Sequence, residues 1–81
     1  MSKRLSRMRR NPRADWRIDD VVALCGEFGI RCDPPRAGSS HYKVSHPSQA
    51  KILTVPFNRP IKPFYIRSLV AFVDAVIGNA E

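Results

Sequence analysis

Residues 38–44, with the sequence Gly-Ser-Ser-His-Tyr-Lys-Val, contain the side chains of this chain best suited to acid–base chemistry. A glycine turn leads into an alternating run in which His41 and Lys43 lie two residues apart. In a β-strand, residues at this spacing project from the same face of the sheet. Histidine can accept or donate a proton near neutral pH, and an ammonium group can neutralise a phosphate. This pattern suggests a site that handles RNA.

RNA contains its own nucleophile, the 2′-hydroxyl. A cleaving enzyme has to deprotonate that group, protonate the leaving 5′-oxygen and stabilise charge on phosphorus, and none of these steps requires a metal. His41 is the candidate general base or acid, and Lys43 is the candidate for neutralising the phosphorane. The backbone amides of Gly38, Ser39 and Ser40 are candidates for binding a phosphate oxygen, since glycine permits close approach. The alternative is a structural histidine at the start of a strand, the commoner role of a lone histidine.

Three further basic residues lie near the predicted start of a C-terminal helix and are candidates for phosphate binding: Arg59, Lys62 and Arg67. The positive end of the helix dipole would assist them, and Lys62 is the best placed of the three. The alternative for all three is ordinary solvated charge. Four aromatic residues are candidates for stacking on RNA, but we expect them to pack against or cover the core instead: Tyr42, Phe57, Phe64 and Tyr65.

A second histidine, His46, precedes Pro47 and is predicted to form hydrogen bonds within a turn. Its odd spacing from His41 would place the two rings on opposite faces of an unbroken strand, which argues against a catalytic pair. Cys25 and Cys32 are separated by more residues than zinc-binding cysteines usually are, so we expect no metal site and no cofactor. Both cysteines are interpreted as small apolar residues.

The composition limits the class of protein. A chain of 81 residues with 43% hydrophobic amino acids predicts one small domain with a packed core. No apolar run approaches the roughly 20 residues of a bilayer span, and the basic N-terminus lacks the apolar segment of a secretory signal. We therefore expect a cytoplasmic protein without membrane contact. The net charge of +7 is concentrated in residues 1–14 and 31–67, which favours a polyanionic partner, with simple solubility as the alternative for residues 1–14.

Hydrophobic periodicity predicts the element order α-β-β-β-α. The first helix is expected to begin near Asp15 and to bury one stripe of residues: Ile18, Val21, Val22, Cys25 and Phe28. Gly29 is expected to end this helix, with Ile30 folding back onto Cys25. Strands are predicted over residues 30–33, 40–45 and 51–55. The second helix is expected to open at Pro63 and to bury a second stripe: Ile66, Leu69, Val70, Val73, Val76 and Ile77.

Two amphipathic helices can cover only one face of a three-stranded antiparallel sheet, so the predicted fold is α+β with the other face open to solvent. His41 and Lys43 are expected on that open face. Residues 1–14 are rich in arginine and lysine and are interrupted by Asn11 and Pro12. We predict that they form a basic, flexible extension of a domain spanning residues 15–78.

Several of these segments together resemble the HicA family of small toxins from type II toxin–antitoxin systems. The matching segments appear in the family's order: the Gly-Ser-Ser-His tetrapeptide ending at His41, the His46-Pro47 turn, the Leu-Thr-Val-Pro run of residues 53–56, and the helix opening of residues 60–69. The resemblance covers about residues 15–78. The extension 1–14 and the pair Pro34 and Pro35 depart from the family pattern.

The resemblance implies a fold like that of a double-stranded-RNA-binding domain and an mRNA-cleaving toxin, an endoribonuclease that needs no metal. The family's single essential histidine corresponds to His41. The resemblance also implies a HicB-like antitoxin that covers the active face, and binding of operator DNA by the toxin–antitoxin complex. Two other functions remain open: a non-catalytic RNA-binding module of the same fold, and a subunit whose open sheet face binds a protein.

Overall fold

The structure, a computed structural model, describes residues 2–79 and contains three helices and one antiparallel sheet. In chain order the elements are α1 (Lys3–Arg10), α2 (Ile18–Glu27), β1 (Arg31–Asp33), β2 (His41–Ser45), β3 (Leu53–Pro56) and α3 (Pro63–Asn79). The α+β class and the three-stranded antiparallel sheet are therefore confirmed. The five predicted elements are preceded by one additional helix, α1.

The strand order in the sheet is β1-β2-β3, and both pairings are antiparallel. Lys43 lies opposite Asp33 on one side and Thr54 on the other, while Tyr42 lies opposite Val55. Residues directly opposite each other share a face of the sheet. The fully buried strand residues Val44 and Val55 therefore define the covered face, against which α2 and α3 pack through β1 and β3. The exposed residues of β2 and β3 define the other face.

Helix α2 begins at Ile18, three residues later than predicted. Its first turn is closed by Asp20, whose carboxylate accepts the backbone N–H of Arg17 at 3.0 Å, so Asp15 does not cap it. Val22 is 42% exposed, and the prediction that it is buried is wrong; Leu24 is fully buried instead. Because a helix turns by about 100° per residue, Leu24 lies closer than Val22 to the centre of the buried stripe.

The end of α2 agrees with the prediction in detail. Gly29 adopts a φ of +64°, and the N–H of Ile30 donates to the carbonyl of Cys25 at 2.9 Å. This is the hydrogen bond of a glycine-terminated helix in which the chain folds back onto the last turn. Ile30 is consequently buried and joins the core immediately before β1.

Gly26 within α2 and Gly29 just after its end should respond in opposite ways to alanine substitution. Gly26 lies inside the helix, and an added Cβ would meet no atom within 4 Å, so Gly26→Ala should stabilise the protein by about 0.5–1 kcal/mol. Gly29→Ala also meets no atom, but it places a side chain at positive φ and should destabilise the protein by roughly 1 kcal/mol. Urea denaturation of the two variants provides the comparison. A destabilised Gly26→Ala protein would contradict this account.

Helix α3 begins at Pro63, as predicted, and buries Ile66, Leu69, Val70, Val73 and Val76, whereas Ile77 is partly exposed. Before it, the loop after β3 is attached to the N-terminal half of the chain by a hydrogen bond from the N–H of Ile61 to the carbonyl of Trp16, at 2.8 Å. Both of these residues are buried. Ile61 therefore anchors the loop in the core, whereas residues 57–60 and Lys62 are exposed.

Residues 3–10 form helix α1, which differs from the flexible extension predicted for residues 1–14. Leu5 and Met8 are three residues apart, lie on one face of the helix and are buried in the common core. The Oγ of Ser2 caps the helix by accepting the N–H of Leu5 at 3.0 Å. Through this apolar face α1 packs against α3 and α2. Because an isolated helix as short as α1 is not stable in water, this tertiary packing is what stabilises it.

Ion pairs also attach α1 to the two other helices. Arg4 reaches Glu27 at 2.6 Å, and Arg9 forms two hydrogen bonds to Asp74 at 2.7 and 2.8 Å. The hydrogen bonds and charge of Arg9 lower the pKa of the Asp74 carboxyl below its usual value. The basic N-terminal segment and the acidic side chains of α2 and α3 are therefore partly complementary to each other.

Candidate functional site

The turn between β1 and β2 places the candidate catalytic segment at one end of the sheet. Pro34 and Pro35 end β1, and the N–H of Ser39 donates to the carbonyl of Arg36 at 2.9 Å, which closes the predicted turn at residues 36–39. Gly38 has a φ of +84°, a conformation that side chains disfavour and that glycine adopts readily. The chain then re-enters the sheet at His41, the first residue of β2.

His41 is exposed on the face of the sheet opposite the helices, as predicted. Its Nδ1 lies 3.4 Å from the Oγ of Ser40, and its backbone N–H donates to the Oγ of Ser39 at 3.3 Å. Among residues 2–79, no side chain forms a hydrogen bond with its Nε2. The ring is therefore held loosely from one side and presents its other nitrogen to solvent, where a substrate can approach.

A cavity of about 270 Å³ lies beside this imidazole. Its lining residues come from the end of β1, the turn that follows and the start of β2: Asp33, Pro34, Pro35, Arg36, Ser39, His41 and Lys43. Three of the predicted site residues, His41, Lys43 and Ser39, are thus brought together. Gly38 and Ser40 shape the adjoining turn but do not line the cavity.

Two charged residues in this cavity, Asp33 and Arg36, were not among the predicted site residues. Asp33 lies directly across from Lys43 in the β1–β2 pairing, and its carboxylate accepts a hydrogen bond from the Nε of Arg31 at 3.0 Å. Arg36 is exposed at the start of the turn. The proline pair indicates that the chain turns after β1, so that the residues beside it come near the start of β2. It does not determine which of them lies opposite Lys43.

Arg59, Lys62 and Arg67 do not line this cavity. Lys62 is exposed immediately before α3, and its carbonyl accepts the N–H groups of Tyr65 and Ile66 at 3.0 and 3.3 Å. Arg67 is exposed on the first turns of the same helix. Arg59 instead lines a second cavity, of about 410 Å³, together with residues of β2, α2 and the loop after β3. The predicted phosphate-binding corner is therefore divided between two regions of the surface.

The aromatic residues differ from one another in burial. Tyr42 and Tyr65 are half-buried and pack against the core, which agrees with the prediction. Phe57 is 56% exposed and Phe64 is 66% exposed, so the prediction that these two cover the core is wrong. Phe57 follows the last residue of β3, where the loop leaves the core, and Phe64 lies on the outward side of the first turn of α3.

His46 has the hydrogen-bonding role predicted for it in the turn after β2. Its Nδ1 accepts the backbone N–H of Ser48 at 3.0 Å and lies 2.8 Å from the Oγ of the same serine. Its carbonyl accepts the N–H of Gln49 at 2.9 Å. These contacts engage the ring in local structure, and it does not line the cavity beside His41.

Both cysteines are free thiols; Cys25 is fully buried and Cys32 packs partly exposed against the core. A hydrogen bond between the two thiols raises the pKa of Cys25 and lowers that of Cys32, and burial raises the pKa of Cys25 further. Over the described part of the chain, no group of three or more histidine, cysteine or acidic side chains is arranged to hold a metal ion. No helix within residues 2–79 combines the length and apolarity that a membrane span requires.

Comparisons with protein-family models, with curated proteins and with solved structures find no match to this chain. The resemblance to the HicA family therefore depends on the motif residues themselves. What the structure adds is their arrangement in space.

Proposed function

We propose that this chain is a metal-independent endoribonuclease that acts as the mRNA-cleaving toxin of a type II toxin–antitoxin system in the cytoplasm. The observation that carries the proposal is the position of His41 beside Lys43, on the sheet face that no helix covers and at the rim of a basic cavity. The observed element order from α2 to α3 is compatible with the fold of a double-stranded-RNA-binding domain. The toxin role is supported by the HicA-like motif.

In the proposed mechanism, the Nε2 of His41 exchanges a proton with the 2′-hydroxyl or with the leaving 5′-oxygen. Lys43 and Arg36, which both line the cavity, supply positive charge for the scissile phosphate. One histidine performs only one of the two proton transfers at a time, so a second carrier is required. Asp33 is the carboxylate that lines the cavity. The second proton carrier is either Asp33 itself or a water molecule that Asp33 holds.

The test is incubation of the purified protein with RNA in excess EDTA. We expect cleavage that leaves 2′,3′-cyclic phosphate ends, because the 2′-hydroxyl is the nucleophile. A substrate with a single 2′-deoxy nucleotide should resist cleavage at that position alone. RNA that binds with a steep salt dependence yet remains intact at enzyme excess would instead identify a non-catalytic RNA-binding module.

The proposed partner is a HicB-like antitoxin that covers the open sheet face, and the complex is proposed to bind operator DNA. A short neighbouring gene for such a protein is the simplest supporting observation. Tight binding to a protein partner, combined with no measurable RNA affinity of the isolated chain, would favour the third function, a protein-binding subunit.

Helix α1 offers a second basic surface for RNA. Lys3, Arg7 and Arg10 follow helical spacing along one face and, with Ser2 and Ser6, line a cavity of about 460 Å³. Arg7 lies over the ring of Trp16, with 5.6 Å to the ring centroid. Among the residues that the structure describes, no carboxylate forms a salt bridge with Lys3 or Arg10, in contrast to Arg4 and Arg9.

The double variant Lys3→Gln/Arg10→Gln should therefore weaken RNA binding and reduce its salt dependence. Loss of two phosphate contacts is expected to lower the slope of log K against log[salt] by about 1.4 for single-stranded RNA. A filter-binding titration at several salt concentrations measures the slope. The control is Arg9→Gln, which removes one positive charge from an arginine already paired with Asp74 and should leave the slope near that of wild type. Equal slopes for the double variant and wild type would exclude α1 from RNA binding.

A further inference from the structure

Phe57 is attached to the same end of the sheet as the candidate catalytic histidine, and its ring stacks on Tyr42, which projects from the opposite face of β2 to His41. Phe57 follows β3 directly, and its backbone N–H donates to the carbonyl of Ser40 at 2.8 Å. Ser40 is the residue before His41, and His41 itself lies opposite Pro56, the residue before Phe57. The backbone of Phe57 is thus tied to the same end of the sheet as the imidazole, although its side chain remains 56% exposed.

A second aromatic ring supports Phe57 from the protein side. The rings of Tyr42 and Phe57 are stacked, with 5.8 Å between their centroids and an interplanar angle of 24°. Tyr42 is half-buried and packs against the core, so it holds the Phe57 ring at a defined orientation. An exposed and rigidly supported aromatic surface loses little conformational entropy when a flat ligand stacks on it.

The surroundings of this ring pair fit a nucleotide. The cavity of about 410 Å³ beside it is lined by Tyr42 and Phe57, by two arginines, Arg17 and Arg59, and by the amide of Asn58, with Ile18 and Asp19 completing the wall. Arginine binds phosphate, and an amide can pair with the polar edge of a base. The cavity therefore offers an aromatic surface for the face of a base, an amide for its polar edge and positive charge for a phosphate.

We infer that the Phe57–Tyr42 pair is a stacking platform for one nucleobase of single-stranded RNA, with Arg59 binding an adjacent phosphate. RNA that contacts both the platform and His41 passes around the end of the sheet that Ser40 and Phe57 share, because Tyr42 and His41 project from opposite faces of β2. Stacking on an aromatic side chain is tolerant of sequence and is a common way in which proteins hold unpaired bases. The link of this platform to cleavage rests on the proposed function, whereas its binding of RNA is a separate property.

The exposed Phe57 would also suit a protein partner. Arg59 and the amide of Asn58 favour the nucleic acid, because aromatic surface beside positive charge is typical of single-strand binding sites. Arg17 contributes less, since it is already paired with Asp15 at 3.5 Å. The experiment therefore has to distinguish binding of RNA at Phe57 from binding of a protein there.

The experiment measures binding of a short single-stranded RNA that contains 2-aminopurine, at fixed salt, to His41→Ala protein so that cleavage cannot interfere. Adding Phe57→Ala should raise the Kd by about tenfold, within the range of 5- to 150-fold that loss of one base stack produces. Adding Phe57→Trp should preserve the affinity and the quenching of 2-aminopurine fluorescence. Adding Phe57→Leu, which keeps apolar surface but removes the aromatic face, should behave like Phe57→Ala.

The matched control is Phe64→Ala, because Phe64 is also largely exposed but lies on α3, with its ring edge-on to Tyr65. It should change the Kd by less than a factor of about two, on the scale of a surface substitution. An oligonucleotide with an abasic site at the quenched position should bind the His41→Ala protein equally with and without the added Phe57→Ala substitution. Circular dichroism verifies that each variant is folded.

Unchanged RNA affinity of the Phe57→Ala variant would overturn the platform, and so would a Phe57→Ala variant that loses only a protein partner. The two proposals fail separately. RNA that stays intact with wild-type protein, while Phe57→Ala still weakens binding, would refute the nuclease and support the platform. Normal cleavage by wild type with no effect of Phe57→Ala on RNA binding would do the opposite.

Discussion

His41→Ala should lower the rate of RNA cleavage by about 10²–10⁴-fold, the contribution expected of a general acid or base. The same substitution should leave the free energy of unfolding within about 0.5 kcal/mol of wild type, because this surface side chain contributes little packing. Within the described part of the chain, the hydrogen-bond contact of its ring is with the Oγ of Ser40, at 3.4 Å from Nδ1. Single-turnover cleavage in EDTA, together with a urea titration, measures both quantities.

His46→Ala is the matched control for this substitution. His46 does not line the cavity, and the variant keeps His41, which does. Cleavage should therefore continue at nearly the wild-type rate. The lost hydrogen bonds to Ser48 should instead reduce stability by about 1 kcal/mol. A folded His41→Ala protein that cleaves RNA at the wild-type rate would refute the role of His41. Equal losses of cleavage in the two variants would point to a shared effect of both histidines on the strand.

The part of the candidate site that depends on neighbouring residues in the sequence was predictable. Alternation along β2 places His41 and Lys43 on one face, and the glycine turn before them follows from residue type. The contribution of Asp33 depends instead on the register between β1 and β2, which pairs it with Lys43 across the sheet. Register is determined by the packing of the covered face and by turn geometry, so a single stretch of sequence does not show which residues converge.

The same distinction applies to the fold. The proline that opens α3 and the glycine that ends α2 act through the conformation of their own backbone, and both were predictable. Helix α1 was not, because its segment has only a few apolar residues and many like charges. Its stability comes from partners far along the chain, Glu27 and Asp74 among them, and from burial of its narrow apolar face. Unfavourable local composition was outweighed by tertiary contacts.

Met8→Ala should destabilise the protein by about 2–5 kcal/mol, which is the cost of removing a large side chain from a packed core. Met8 is 0% exposed and belongs to the same core cluster as the residues of α2, the sheet and α3. For a domain of this size the loss is a large fraction of the total stability. A flexible extension would show no such sensitivity. Urea denaturation followed by circular dichroism measures the change.

Met8→Leu separates packing from any other effect of the substitution. It conserves most of the volume and apolarity of the side chain and should cost less than about 1.5 kcal/mol. Lys3→Ala, on the exposed face of the same helix, should change stability by no more than about 0.5 kcal/mol. Deleting residues 1–14 would remove Met8 and Leu5 from the core, so the deletion tests folding rather than RNA binding. A wild-type unfolding midpoint for Met8→Ala would show that α1 does not pack on the domain in solution, and its cationic residues would then be free to act as a tethered RNA-binding segment.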